Sequence, residues 1–150
     1  MDAWYTWLVL SLASVALFGV GTALPTAPPP DAADAADTVD RVAAAAGPVT
    51  AEHPLDAREL RVESTELGLR NDAGTTHATF VFGPVTPASR ARALTAVLRG
   101  APPSSRYASA TAFCDAAAAA RDRPTRWRPV DGPLIVRRVV WEGCHVTLVG

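Results

Sequence analysis

The sequence contains no lysine; all fourteen basic residues are arginine, set against fifteen carboxylates, for a formal net charge of −1. Arginine in place of lysine, together with heavy alanine use, commonly follows from a GC-rich genome, so the bias assigns no function by itself. Only two cysteines occur, which excludes a disulfide-dense scaffold and any four-cysteine zinc site. The three histidines, His53, His77 and His145, form no HxxxH or HExxH run and have no metal-ligand spacing. No GxGxxG, P-loop or GxSxG motif is present. No catalytic residue, cofactor or metal is therefore assigned, and a non-enzymatic protein is expected.

Charge is also missing from one long stretch, Ala3–Leu24. A helix rising about 1.5 Å per residue needs about 20 apolar residues to cross a bilayer core, and this stretch meets that length. Its first proline is Pro25, so nothing inside it would interrupt the hydrogen-bond ladder that lipid demands. Trp4, Tyr5 and Trp7 lie at one end, where amphipathic rings favour the headgroup layer. Ser11, Ser14, Gly19 and Gly21 would let a second helix approach. These features predict a single transmembrane anchor over residues 1–24. Two other readings stay open, a buried core helix and a cleaved signal peptide. The second has a small-residue site at Gly21-Thr22-Ala23 but lacks a basic n-region, because the chain begins Met1-Asp2. The first arginine is Arg41, too distant for the positive-inside rule to fix orientation. A proline-rich spacer and a cysteine pair suit the outside of the cytoplasm, and the head is expected there.

Beyond that stretch the chain is long enough for one small domain with a modest core. Residues 1–66 carry ten carboxylates and three arginines, residues 67–150 five and eleven, leaving −7 and +6. Either the halves neutralise each other across the fold, or the basic half faces anionic headgroups or an acidic partner.

Pro25–Pro30 predicts a stiff, extended stalk, since proline fixes φ and lacks a donor. Asp31–Ala46 predicts a short helix, with Asp31, Asp34 and Asp37 near its positive end and a thin stripe of Ala35, Val39, Val42 and Ala46. Residues 25–48 thus form a spacer plus helix, and residues 49–150 a head. In the head, Val49–Pro54 reads as an extended connection. The parity of apolar positions changes between Leu60/Val62 and Leu67/Leu69, which implies a bulge or two short strands near Ser64 and Thr65. Residues 66–82 predict a β-hairpin around Asn71–Gly74. Thr86-Pro87 predicts the start of a helix ending near Arg99. A second helix follows Ser104 or Ser105 and runs to about Ala120, with Tyr107, Ala110, Phe113, Cys114 and Ala117 inward. Arg121–Pro129 reads as irregular. Leu134–Trp141 and Cys144–Val149 predict a closing hairpin turned at Glu142-Gly143. The expected fold is α+β: two hairpins with two helices between them.

Cys114 on its helix and Cys144 on its strand should both point inward. Either they form a disulfide, in an oxidising compartment, or they stay as two buried thiols. A cysteine nucleophile would need a histidine in reach, and His145 points to the opposite strand face from Cys144. Arg121, Arg123, Arg126 and Arg128 surround Trp127 and suggest an anion or partner patch, with a solvated, internally paired loop as the plainer reading. Nucleic acid is not the expected partner.

The segments LPTAPPPDA, HPLDA, LRNDAG, HATF with FGPVTP, and VVWEGCHVTLVG resemble short, single-span proteins of halophilic archaea whose function is uncharacterised. That resemblance implies a membrane location and gives no catalytic residues to transfer. The architecture, an apolar N-terminal stretch before a small α+β head, is similar to pilin-like and pseudopilin subunits. The resulting expectation is a single-pass, membrane-anchored interaction or assembly protein with an extracytoplasmic head, its partners being the bilayer and a protein in the membrane or at the cell surface. Two alternatives remain. One is a secreted binding or hydrolytic domain after signal cleavage, and the other a cytoplasm-facing module that binds an acidic partner through its arginine-rich half.

Overall fold

A computed structural model describes residues 27–150. The first helix, α1 (Ala32–Ala43), opens where aspartates crowd: the Asp31 carboxylate accepts from the Asp34 amide at 3.1 Å, and Asp34 sits in the first turn. Its inner face is Ala32, Ala35, Ala36, Val39 and Val42, all buried, while Ala46 lies past the helix end and is exposed. Small side chains bring the helix backbone close to its neighbours, so α1 is part of the core and does not stand off from it.

The segment before it is no stalk either. The Pro28 carbonyl accepts from Asn71 Nδ2 at 3.0 Å and the Pro30 carbonyl from Thr76 Oγ1 at 2.7 Å, so residues 28–30 run along the head. The expected transmembrane helix falls on residues 1–24, outside the described residues. Among the described residues no helix is long and apolar enough to cross a membrane, so the expected single-pass architecture has no support there; the two longest, of 12 residues each, are core helices.

Both expected hairpins form, and each is extended by further strands into a four-stranded sheet. In the first, β1 (Val49–His53), β7 (Leu134–Trp141), β8 (Cys144–Val149) and β5 (Thr86–Pro87) lie in the order β1-β7-β8-β5. In the second, β2 (Glu59–Val62), β3 (Glu66–Asn71), β4 (Gly74–Thr79) and β6 (Arg128–Pro129) lie in the order β4-β3-β2-β6. The parity change in the sequence is a chain reversal, because Leu60 pairs with Leu69 and Val62 with Leu67 on one inward face. The Glu142-Gly143 turn has φ of 46° and 82°, the left-handed pair that a two-residue hairpin loop requires.

Two helix starts differ from the expected ones, the first because of a non-local pairing. Thr86-Pro87 does not cap a helix. It pairs in parallel with Leu148-Val149, a 3-10 turn follows, and α2 begins only at Arg92 (Arg92–Leu98). The next helix, α3 (Ala110–Arg121), is capped by Ser109, whose hydroxyl accepts from the Ala112 amide at 3.2 Å, and not by Ser104 or Ser105.

The first sheet is the middle layer. Leu134, Val136 and Val149 face α1 and the second sheet, together with Leu60, Val62, Leu67 and Leu69. Val139, Cys144, Val146 and Leu148 face α2 and α3, against Leu94, Val97, Phe113 and Ala117. Alternation along β7 also sends its two arginines opposite ways. Arg138 Nη1 donates to the Ala43 carbonyl at 2.8 Å, and Arg137 Nη1 to the Val97 carbonyl. Each cation thus sits on the negative end of a helix, one on either side of the sheet.

Candidate functional site

Cys114 and Cys144 are joined by a disulfide with Cα atoms 6.1 Å apart, which ties α3 to β8. Closing a 30-residue span removes denatured-state freedom and stabilises the fold by about 3–4 kcal/mol. It also leaves no free thiol at either position. The interfacial trio Trp4, Tyr5 and Trp7 lies outside the described residues.

The arginine patch around Trp127 is divided into three parts. Arg121, at the end of α3, donates through Nη1 to the buried Thr86 hydroxyl at 3.0 Å and so braces α3 against β5. Trp127, just before β6, and Arg128, its first residue, then separate because successive residues of an extended chain face opposite ways. Arg128 pairs with Leu60 across β6–β2 and shares its inward side. Trp127 turns to the outer face of the second sheet.

On that outer face the neighbours come from β2, β3 and β4. Arg61 pairs with Gly68, and Gly68 with His77, so one row of side chains crosses three strands. The Trp127 ring lies over this row, where a Cβ on Gly68 would meet Trp127 Cη2 at 2.9 Å and His77 Nδ1 at 3.0 Å. Glycine is required here because the indole occupies the space of a side chain. His77 meets the indole edge-on at 6.0 Å, and the guanidiniums of Arg61 and Arg70 lie 5.3 Å and 4.6 Å from its centroid. Both cations are also neutralised. Arg61 contacts Glu66 at 3.1 Å and Glu63 at 3.2 Å, and Arg70 Nε donates to Glu59 at 2.7 Å. Thr125 Oγ1 donates to Glu63 at 2.9 Å, which holds the loop before Trp127 to the same cluster. Its charges are internally matched.

The remaining members of the patch behave differently. Arg123, Arg126 and Arg128 join Arg90, Ser89, Val62 and Pro124 around a cleft of about 410 Å³ with no carboxylate in its lining. Arg90 Nη1 donates to the Pro124 carbonyl, and Arg123 Nη1 to the Arg90 carbonyl at 3.0 Å, so the two segments brace each other. None of these four arginines belongs to an ion pair among the described residues, where every arginine in one lies between Arg58 and Arg70. Burial, and then the positive charge of Arg90, push the Arg128 guanidinium below its usual range, with Asp131 partly opposing them. The cleft is a concentration of positive charge that the fold does not neutralise. Arg90 lies more than thirty residues before the rest in sequence, and no local pattern points to it.

A third feature lies beside the second sheet. Val81 and Phe82, read as the end of a strand, are 80 % and 53 % exposed beyond β4. The Asp40 carboxylate accepts from both their amides, at 3.0 Å and 2.9 Å, and holds the pair outward beside Asp34 and Asp37. Elsewhere His53 lies 3.2 Å from Thr38 Oγ1 and His145 is exposed. No group of three or more His, Cys, Asp or Glu side chains that could hold a metal occurs among the described residues.

No curated protein and no solved structure matches the chain. A model described as a family of unknown function (DUF7283) matches residues 1–139, nearly the whole of the sequence, and the chain belongs to that family.

Proposed function

We propose that this protein is a membrane-associated, non-enzymatic interaction or assembly protein whose α+β head works outside the cytoplasm. The observation that carries the reading is the Cys114–Cys144 bond, because structural disulfides persist in oxidising compartments and are rare in the cytosol. The uncharged Ala3–Leu24 stretch, with Trp4, Tyr5 and Trp7, supports attachment to the bilayer. The resemblance to membrane proteins of halophilic archaea favours a cell surface of that kind. The likeness to pilin-like subunits favours assembly with other subunits there. The head offers two contact features on its exterior, the arginine cleft and the Val81–Phe82 pair.

Protease added to sealed, right-side-out membrane vesicles should digest the head without detergent. Digestion only from the cytoplasmic face would overturn the reading. N-terminal sequencing of the mature protein adds a second check, since a start at Leu24 would make the head a secreted domain instead.

A further inference from the structure

We propose that the cleft between the 3-10 turn at Ala88–Arg90 and the Arg123–Arg128 segment is a binding site for a phosphate-type oxyanion, carried on a small phosphorylated ligand or a lipid headgroup. This goes beyond the interaction reading and does not depend on the side of the membrane the head occupies.

Four guanidiniums in one cleft repel one another, and bringing them together opposes folding unless an anion compensates. Arg58, Arg61 and Arg70, by contrast, each meet a carboxylate. The cleft lining holds none. Three of the four cations are also held in place before any ligand arrives. Arg90 and Arg123 are fixed by carbonyls of each other's segments, and Arg128 is set by its strand register opposite Leu60. Guanidinium forks match the oxygens of phosphate in bidentate geometry, and Ser89 adds a hydroxyl donor to the same lining. The volume, about 410 Å³, is that of a small-molecule site. A bound dianion would favour the charged form of Arg128, which burial and Arg90 now oppose.

The geometry also selects against single-stranded nucleic acid. Base stacking needs an aromatic platform beside the cations, and Trp127 lies on the other face of the sheet under Arg61 and Arg70. The ligand recognised is therefore the oxyanion and not a base.

The test is calorimetric titration of the detergent-solubilised protein with pyrophosphate at fixed ionic strength. Saturable binding is expected, weakened roughly tenfold or more in Arg126→Gln and further in Arg123→Gln/Arg126→Gln. Arg126 is exposed, so its variant should melt like the parent, and Trp127→Ala should bind as the parent does. Competition by monomeric dihexanoyl-phosphatidylglycerol, but not the phosphatidylcholine analogue, assigns the site to a lipid headgroup. Pyrophosphate binding that neither lipid displaces assigns it to a soluble phosphorylated ligand. The proposal is overturned if pyrophosphate does not saturate, or if both arginine variants bind it as tightly as the parent.

Discussion

On the outer face of the second sheet Arg61 and Arg70 each meet a carboxylate and flank the Trp127 ring, whereas one residue along the chain Arg128 enters a cleft with three more arginines and no acid. Residue type is the same on both sides, and what differs is whether the surroundings complete the charge. The outer cluster is closed in charge: its two cations meet glutamates and flank the indole, with His77 at the ring edge. The cleft is open, since Arg90 and Arg123 are positioned by backbone carbonyls that orient a guanidinium without cancelling its charge. A fold that neutralises arginine in one place and concentrates it in another has accepted a local cost in stability, the usual mark of a binding surface.

Breaking the Cys114–Cys144 bond sets the scale, because it weakens the scaffold under both faces. Cys114→Ser/Cys144→Ser should lose about 3–4 kcal/mol in urea unfolding. A smaller, one-sided effect is expected from Gly68→Val. The new side chain meets Trp127 at 2.9 Å and should cost about 1–3 kcal/mol, shift tryptophan fluorescence and leave pyrophosphate binding unchanged. Arg61→Gln removes a cation that is largely buried between indole and carboxylates and should cost about 1–2 kcal/mol in the same unfolding assay. Arg126→Gln should act in the opposite direction, raising stability at low salt by no more than about 0.5 kcal/mol while binding falls. If Arg61→Gln and Arg126→Gln shifted stability alike, the distinction between the two faces would fail.

Local patterning made much of the scaffold readable. Asp31 before an alanine-rich run marks a helix start, Glu142-Gly143 between β-branched runs marks a hairpin, and the inward faces of Cys114 and Cys144 follow from helix and strand periodicity. What escaped is non-local or depends on size. β5 and β6 are two residues each, too short for any period to register, and both exist only because distant strands supply partners. Thr86-Pro87 has the composition of a helix start, and only its place beside β8 decides otherwise. The α1 face looks weakly hydrophobic, yet its alanines are what allow it to sit inside the core. The arginine patch was visible as a cluster around Trp127, but the alternation that turns Trp127 and Arg128 to opposite sides requires knowing that β6 is a strand. Arg90 joins only through the tertiary fold.

The proposed role rests most heavily on the compartment of the head, and the state of its two sulfurs reports that directly. Cells quenched in acid and alkylated without reductant should yield protein in which Cys114 and Cys144 carry no label until a reductant is added. Recovery of both as alkylated thiols from freshly quenched cells would place the head in a reducing environment and contradict the account.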